Sequence, residues 1–315
     1  MVSIMRRGVS FGDYGQRTRL EEEHLEALLK HFSHLSVDHV SLHFSLLNED
    51  KDDPTACVAT EKTMSDDHIK RCIDAFNRIA IDVQLKPHID TIIFPWRGEI
   101  AYKTKKDLDD FFDRYYGLMH HYAVLSESHG AKEFCIGTEL KALSKETERW
   151  KALIKEIRND FSGQITYAAN HDEYQSVRFF DSLDYIGIDF YSTICNEKSP
   201  SLDTMKKGLE KHKKRLKTFS ERENQKIVFT EVGITSRDYA CKDPWEWGDL
   251  SKYDANPWLQ ERYYEAIFQT FWNETWFDGM FFWDYPYLDM IDGSYEKHFC
   301  PYNKPAESVM MRWFS

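Results

Sequence analysis

The 315-residue sequence has no apolar run near the roughly 20 residues that a helix needs to cross a bilayer, so no membrane partner is expected. Its six cysteines are scattered, without a CxxC pair or regular spacing, which argues against a zinc site or a disulfide framework and favours reduced thiols. The first residues, "MVSIMRRGVSFGDYG", include two arginines but no apolar run after them. This pattern does not resemble a secretory signal, and a cytoplasmic location is expected.

Positive charge is also in short supply, because 41 Lys and Arg stand against 53 Asp and Glu for a formal net charge of −12. Phosphate binding depends on clustered Lys and Arg, so no nucleic-acid partner is expected. A neutral small molecule or an uncharged polymer fits the composition better. Aromatic residues, by contrast, make up 15% of the chain, including 9 Trp and 17 Tyr. Most are expected in the core, while some fall where a ligand would lie.

Short apolar runs alternate along the whole chain with charge-rich amphipathic stretches. The runs predict strands at 2–11, 37–44, 81–89, 133–140, 165–170, 184–191, 226–233 and 279–285. The amphipathic stretches predict helices at 19–35, 65–80, 106–130, 145–161, 201–221 and 257–274. A doubly wound sheet would also alternate, but "GVSFGDYG" lacks the G-x-G-x-x-G order. With no Pro/Gly/Ser linker, the pattern predicts one (β/α)8 TIM barrel as a single domain over 1–315, with loops at about 45–64 and 235–256 walling a cleft.

The active site of such a barrel lies at the carboxyl ends of the strands, so the residues that close each apolar run are the candidates. They are Phe11, His43, Lys86, His88, Glu139, Asn170, Tyr191, Glu231, Trp283 and Asp284. All are polar or aromatic, which is the composition of a carbohydrate pocket. The active site is therefore expected at this end of the barrel.

Two glutamates carry most of this interpretation, Glu139 in "EFCIGTEL" and Glu231 in "KIVFTEVG". Each closes a long apolar run, one on the fourth and one on the seventh predicted strand, so they would face each other across the barrel. Glycoside hydrolysis needs two such carboxyl groups, one to protonate the leaving oxygen and one to attack the anomeric carbon or activate water. The alternative is that either glutamate only pairs with a cation such as Lys86 or Arg237.

Several motifs together resemble a known family. "CIGTEL" and "VFTEVG" resemble the acid/base and nucleophile strands of the retaining glycoside hydrolases of clan A. In strand order, "GVSFG", "LKPHI", "GTEL", "YIGIDFY", "TEVG" and "FFWDY" look like glycoside hydrolase family 113, the endo-β-1,4-mannanases. The resemblance implies that Glu139 is the acid/base and Glu231 the nucleophile. Many clan A enzymes have Asn before the acid/base, and this chain departs from that pattern with Thr138.

The resemblance also implies supporting roles. Trp283 would lie under the sugar at the cleavage point, and Tyr191 would donate to Glu231. The other candidates for substrate binding are Phe11, Lys86, His88, Trp96 and Asn170, of which Lys86, His88 and Asn170 can alternatively tune a glutamate. Trp245 and Trp247, on the loop after Glu231, are weaker candidates for the same aromatic floor. The expected partner is β-mannan or a manno-oligosaccharide, with no cofactor, no metal and a monomeric chain.

Three alternatives stay open at this point. A retaining β-glycosidase acting on xylan, glucan or galactan would use the same pair of glutamates. A metal-dependent barrel hydrolase would use ligands from His43, His88, Asp90 and His171, which also lie near predicted strand ends. A barrel that binds a glycan without cutting it would need the aromatic residues but not both glutamates.

Overall fold

The computed structural model describes residues 5–13, 22–48, 50, 52–60, 62–91, 96–286 and 296–315. Within these ranges the chain forms nine strands, numbered β1 to β9 in chain order. They are Arg6–Asp13, His39–Asn48, Cys57–Val58, Asp82–Thr91, Glu133–Thr138, Gln164–Asn170, Ile186–Phe190, Ile227–Val232 and Phe277–Pro286.

Eight of these strands close into a barrel. The sheet runs in the order β1-β9-β8-β7-β6-β5-β4-β2, and β1 also pairs with β2, so the ring is complete. All pairs within the ring are parallel. The short strand β3 lies outside the ring and pairs antiparallel with the end of β2. The predicted (β/α)8 barrel is confirmed, with β5 and β8 as its fourth and seventh strands.

Seven α-helices are present in the described residues, numbered α1 to α7. They are Glu22–His34, Asp66–Arg78, Lys105–Ser128, Thr147–Asp160, Leu202–Glu223, Pro257–Phe271 and Pro305–Phe314. The first six overlap the predicted helices, and several begin at a side-chain cap, such as Ser65 accepting from the His68 amide and Ser201 from the Thr204 amide. None of the described helices is both long and apolar enough to span a membrane.

The base of the barrel is closed by a buried polar network rather than by apolar side chains alone. Arg6 Nε lies 2.7 Å from Glu133 Oε1, and its Nη1 donates to Asp278 Oδ2 at 3.0 Å. Tyr185 Oη donates to Glu133 Oε2 at 2.5 Å and accepts from Gln84 Nε2 at 2.7 Å. These groups satisfy one another's hydrogen bonds at the amino ends of the strands, so the ion pairs of Arg6 with Glu133 and Asp278 are structural. The candidate active site is at the opposite end of the barrel, where the carboxyl ends of the strands lie.

Candidate active site

Glu139 directly follows β5 and has a left-handed backbone conformation, with φ of 53°. Such a conformation costs a non-glycine residue about 1–3 kcal/mol and persists where the surroundings fix it. The Glu139 amide donates to the Ala168 carbonyl at 2.8 Å. Its partly buried side chain accepts from Trp96 Nε1 at 3.0 Å and from Asn170 Nδ2 at 2.7 Å. Two neighbouring strand ends therefore fix the carboxyl group in place.

Electrostatics favour the protonated form of Glu139. Burial raises the pKa of this carboxyl group, and the nearby charge of Glu231 adds to the shift. The charge of Arg97 and the Trp96 hydrogen bond act in the opposite direction and do not cancel it. A carboxyl group with a raised pKa keeps its proton at a pH where an ordinary glutamate has lost it, which suits a general acid.

Glu231 is buried on β8 and has a different set of neighbours. Its Oε1 accepts from Lys86 Nζ at 2.5 Å, and its Oε2 accepts from Tyr191 Oη at 2.9 Å. His88 Nε2 lies 3.7 Å from Oε1. An ammonium and a phenol therefore donate to the two oxygens of this carboxyl group. The two glutamates therefore lie in environments that suit an acid and a nucleophile.

Lys86 is fully buried between two carboxyl groups, which its sequence position does not reveal. Its Nζ lies 3.3 Å from Asp189 Oδ1 as well as contacting Glu231. Burial alone would lower the pKa of Lys86, but the charges of Asp189 and Glu231 outweigh it and raise this pKa. The pairing of Glu231 with Lys86 does occur, whereas Arg237 donates to the Asp238 carbonyl and lies over the Tyr253 ring.

Asp189, on β7, is a site residue that the sequence interpretation missed. It is fully buried, and Thr230 Oγ1 donates to its Oδ1 at 2.7 Å. Burial raises the pKa of Asp189 well above its usual range, and the charge of Glu231 adds to this shift because two carboxyl groups share the ammonium of Lys86. Its place two residues before Tyr191 was an available signal, since alternate strand residues share a face.

Trp283 lies at the end of β9 against two histidines. Its ring stacks on His43 with centroids 4.6 Å apart and on His88 at 5.8 Å with an interplanar angle of 4°. Burial lowers the pKa of His43 to about 3 and that of His88 well below its usual range, and the charges of Lys86 and Arg97 add to both shifts. Both imidazoles are therefore neutral. The partly exposed indole forms an aromatic surface beside His88, whose Nε2 lies 3.7 Å from Glu231 Oε1.

Trp96 owes its position to a glycine. It precedes a short 3-10 helix, Arg97–Glu99, that follows β4. A Cβ at Gly98 would lie 2.3 Å from the Trp96 ring, so only glycine permits this approach. The Gly98 carbonyl also accepts from the Ala142 amide at 3.0 Å, which ties this turn to the segment after Glu139.

Arg97 is a second residue that the sequence interpretation missed. Its Nη2 donates to Asp90 Oδ1 at 2.7 Å, and Asp90 also accepts from Ser45 Oγ. Burial lowers the pKa of Arg97, but the charges of Asp90, Glu139 and Glu231 outweigh it and raise this pKa. A permanent cation therefore lies within electrostatic reach of both glutamates.

One predicted residue, Phe11, is not at the centre of the site. Phe11 is fully buried and packs edge-to-face against Phe32 of α1 and Phe76 of α2, at 6.3 and 6.0 Å. It lies between the barrel and the helices, which corrects the expectation that it binds substrate. Thr138 is also buried, with its Oγ1 4.0 Å from Cys135 Sγ.

The weaker aromatic candidates lie at the periphery. Trp245 is 46% exposed and stacks on His171 with centroids 5.6 Å apart, while Trp247 is 68% exposed. Over the part of the chain that the structure describes, no group of three or more His, Cys, Asp or Glu side chains is arranged to hold a metal ion. His171 follows Asn170, so this periphery adjoins the Glu139 side of the site.

Comparison with known proteins identifies relatives of this chain. Residues 9–304 match Glycoside Hydrolase Family 113. None of the curated proteins matches the chain. The GH113 β-mannanase AaManA from Alicyclobacillus acidocaldarius, solved in complex with ManMIm, is 27% identical with a TM-score of 0.88, over 99% of this chain and 97% of that chain.

Other solved structures share the fold. The complex structure of a GH113 β-1,4-mannanase is 23% identical with a TM-score of 0.87, over 99% of both chains. The β-glucuronidase of Ruminococcus gnavus is 11% identical with a TM-score of 0.67, over 99% of this chain and 50% of that chain. At these sequence identities the structural similarity shows only that the barrel fold is shared.

Proposed function

Because this chain belongs to glycoside hydrolase family 113, we propose that it cleaves β-1,4-mannosidic linkages in mannan, glucomannan or manno-oligosaccharides with retention of anomeric configuration. Membership of the family makes the chain a glycoside hydrolase. The observation that carries the finer proposal is the pair of glutamates on the fourth and seventh barrel strands. Glu139 accepts from neutral donors and has a raised pKa. Glu231 accepts from a buried ammonium and a phenol.

In the first step of the proposed reaction, Glu231 attacks the anomeric carbon and the glycosidic C–O bond breaks. Glu139 gives its proton to the leaving oxygen, so the departing sugar leaves as an alcohol and not as an alkoxide. Lys86 and Tyr191 hold Glu231 in position before the attack. The product is a covalent glycosyl-enzyme and a charged Glu139.

In the second step, the charged Glu139 takes a proton from water, and the water oxygen attacks the anomeric carbon. The bond to Glu231 breaks, and both glutamates return to their starting states. Asn170 and Trp96 can donate to Glu139 in its charged form, so they stabilise it between the two steps. Two inversions at one carbon give net retention.

The mannan part of the proposal rests on the relatives, because sugars that differ in hydroxyl orientation can share this pair of carboxyl groups. The two family 113 structures compared above are β-mannanases. In this proposal the indole of Trp283 lies against the sugar at the cleavage point. Trp96 contributes to a neighbouring subsite while it donates to Glu139.

The test is to assay the wild type, Glu231→Ala and Glu139→Ala on mannan, glucomannan, xylan, cellulose and galactan. Product anomers are measured by NMR. Hydrolysis of a β-mannan with β-configured first product is expected from the wild type, and loss of turnover from both variants. Glu148→Ala, an exposed change on α4, is the control.

Azide separates the two roles. With an activated aryl mannoside, Glu231→Ala should give the α-mannosyl azide, since azide takes the place of the nucleophile. Glu139→Ala should give the β-mannosyl azide from the glycosyl-enzyme. Near-full activity of either variant on mannan, or release of the α-anomer by the wild type, would refute the proposed mechanism.

A further inference from the structure

Glu173 is a fully buried carboxyl group on the turn after β6, and none of the ion pairs found in the described residues includes it. Its Oε1 accepts from Tyr167 Oη at 2.7 Å, and its Oε2 accepts from the Asn170 amide at 2.9 Å. Burying a carboxyl group without a cation is costly, and burial raises the pKa of Glu173 to about 7. A residue kept at such a cost needs a structural or functional reason.

These two contacts of Glu173 lead to Glu139. Tyr167 Oη, which donates to Glu173, also accepts from the amide of Leu140 at 2.9 Å. Leu140 is the residue after Glu139. Asn170, whose amide donates to Glu173, uses its side chain to donate to Glu139 Oε1 at 2.7 Å. One carboxyl group therefore holds the backbone beside Glu139 and the residue that contacts its side chain.

The backbone of Glu139 explains why such a restraint is needed. Its left-handed conformation is unfavourable by itself and must be fixed by hydrogen bonds on either side. The Glu139 amide is held by the Ala168 carbonyl, and the next amide is held by Tyr167. Without Glu173, Tyr167 loses its acceptor and the Asn170 amide loses its partner in a buried place.

We propose that Glu173 is a positioning residue that holds Glu139 in line with the leaving oxygen, acting through Tyr167 and Asn170. The inference rests on the proposed function, because it needs Glu139 to be the general acid. General acid catalysis contributes about 10²–10⁴-fold, and misplacing the acid forfeits part of that. Loss of position therefore harms substrates with poor leaving groups, whereas an activated leaving group departs without a proton.

The readout is the dependence of kcat/KM on the leaving group. Glu173→Gln cannot accept from both donors, and it should lower kcat/KM for manno-oligosaccharides by about 10- to 100-fold. The same variant should retain within about threefold the rate of glycosyl-enzyme formation from a 2,4-dinitrophenyl mannoside, measured as the burst of dinitrophenol. Tyr167→Phe breaks the same link while keeping its ring, so it carries the test if Glu173→Gln does not fold.

The chain contains a matched control in Glu307. It accepts from Tyr285 Oη at 2.7 Å and from the Asn303 amide at 3.0 Å, which are the same kinds of contact, and it differs from Glu173 in a further contact with His31 Nε2 at 2.7 Å. Glu307→Gln should lower stability and change the rates of all substrates alike. A purely structural role of Glu173 predicts the same for Glu173→Gln.

Three outcomes separate the possibilities, with Glu139→Ala assayed alongside. Selective loss on poor leaving groups in Glu139→Ala and in the Glu173 and Tyr167 variants supports the inference. Selective loss in Glu139→Ala alone overturns the role of Glu173 and leaves the proposed function standing. If Glu139→Ala shows no selective loss, the acid assignment is wrong and the inference is overturned with it.

Discussion

Replacing Lys86 with Met tests the electrostatics of the site most directly. Methionine keeps a similar length but removes an ammonium that is fully buried and lies 2.5 Å from Glu231 and 3.3 Å from Asp189. Removing one partner of a buried ion pair typically costs about 3–5 kcal/mol, because the other charge stays buried without compensation. We expect Lys86→Met to lower the free energy of unfolding at pH 7 by about that amount, measured by urea denaturation.

The pH dependence has a definite sign. In Lys86→Met, protonation of the buried carboxyl groups removes the uncompensated charge, so the stability deficit relative to the wild type should shrink as pH falls from 7 toward the ordinary carboxyl pKa of about 4. Activity should change in the opposite sense and fall further behind the wild type at low pH, because the proposed attack needs Glu231 charged. An opposite charge at this distance is worth about 1–3 pH units, and the acid limb of the kcat/KM profile should move upward by that much.

The control is Lys141→Met, which removes an ion pair with Asp172 of similar length, 2.7 Å, but at a site where the two side chains are 38% and 54% exposed. Such pairs contribute about 0–1 kcal/mol. The account of Lys86 would be refuted by two results together. The free energies of unfolding of Lys86→Met and Lys141→Met would differ by less than about 1 kcal/mol, and Lys86→Met would keep the wild-type pH profile.

Three further predictions follow from single contacts. Glu133→Gln should lower the free energy of unfolding more at pH 7 than at pH 3, measured by urea titration. Burial raises the pKa of Glu133, but the charge of Arg6 outweighs burial and lowers it. The contribution of the charged Glu133 to stability is therefore lost as pH falls through that lowered pKa. Gly98→Ala should lower kcat by displacing Trp96, with little change in thermal midpoint; unchanged kcat would contradict this. Phe11→Ala should lower the free energy of unfolding by about 3–5 kcal/mol while leaving KM unchanged, and a raised KM would return Phe11 to the site.

The sequence predicted the barrel because each strand is an apolar run and each helix has one apolar face, and these patterns need no long-range information. It also predicted where Glu139 and Glu231 lie, since a charge that closes a buried strand must be at its open end. The helix α7 was not predicted.

The position of a residue along a strand was easier to predict than the face it occupies. Phe11 was assigned to the site because it ends its run, but the neighbouring Gly12 is the residue that approaches His43, with a Cβ at Gly12 lying 2.0 Å from the His43 carbonyl oxygen. A shift of one residue moves a side chain from the barrel interior to the helix layer. Pairings such as Lys86 with Asp189 join residues 103 positions apart, and single-sequence patterns carry no signal for them.

The hydrogen bond from Trp96 to Glu139 has a thermodynamic consequence for ligand binding. Because the indole N–H lowers the pKa of Glu139, any ligand that draws the Trp96 ring away raises that pKa. By reciprocity, Glu139 takes up a proton when such a ligand binds, and the affinity for the ligand increases as pH falls. Binding of such a ligand and protonation of Glu139 are then one linked equilibrium. Calorimetry would show it as a binding enthalpy that varies with the ionisation enthalpy of the buffer.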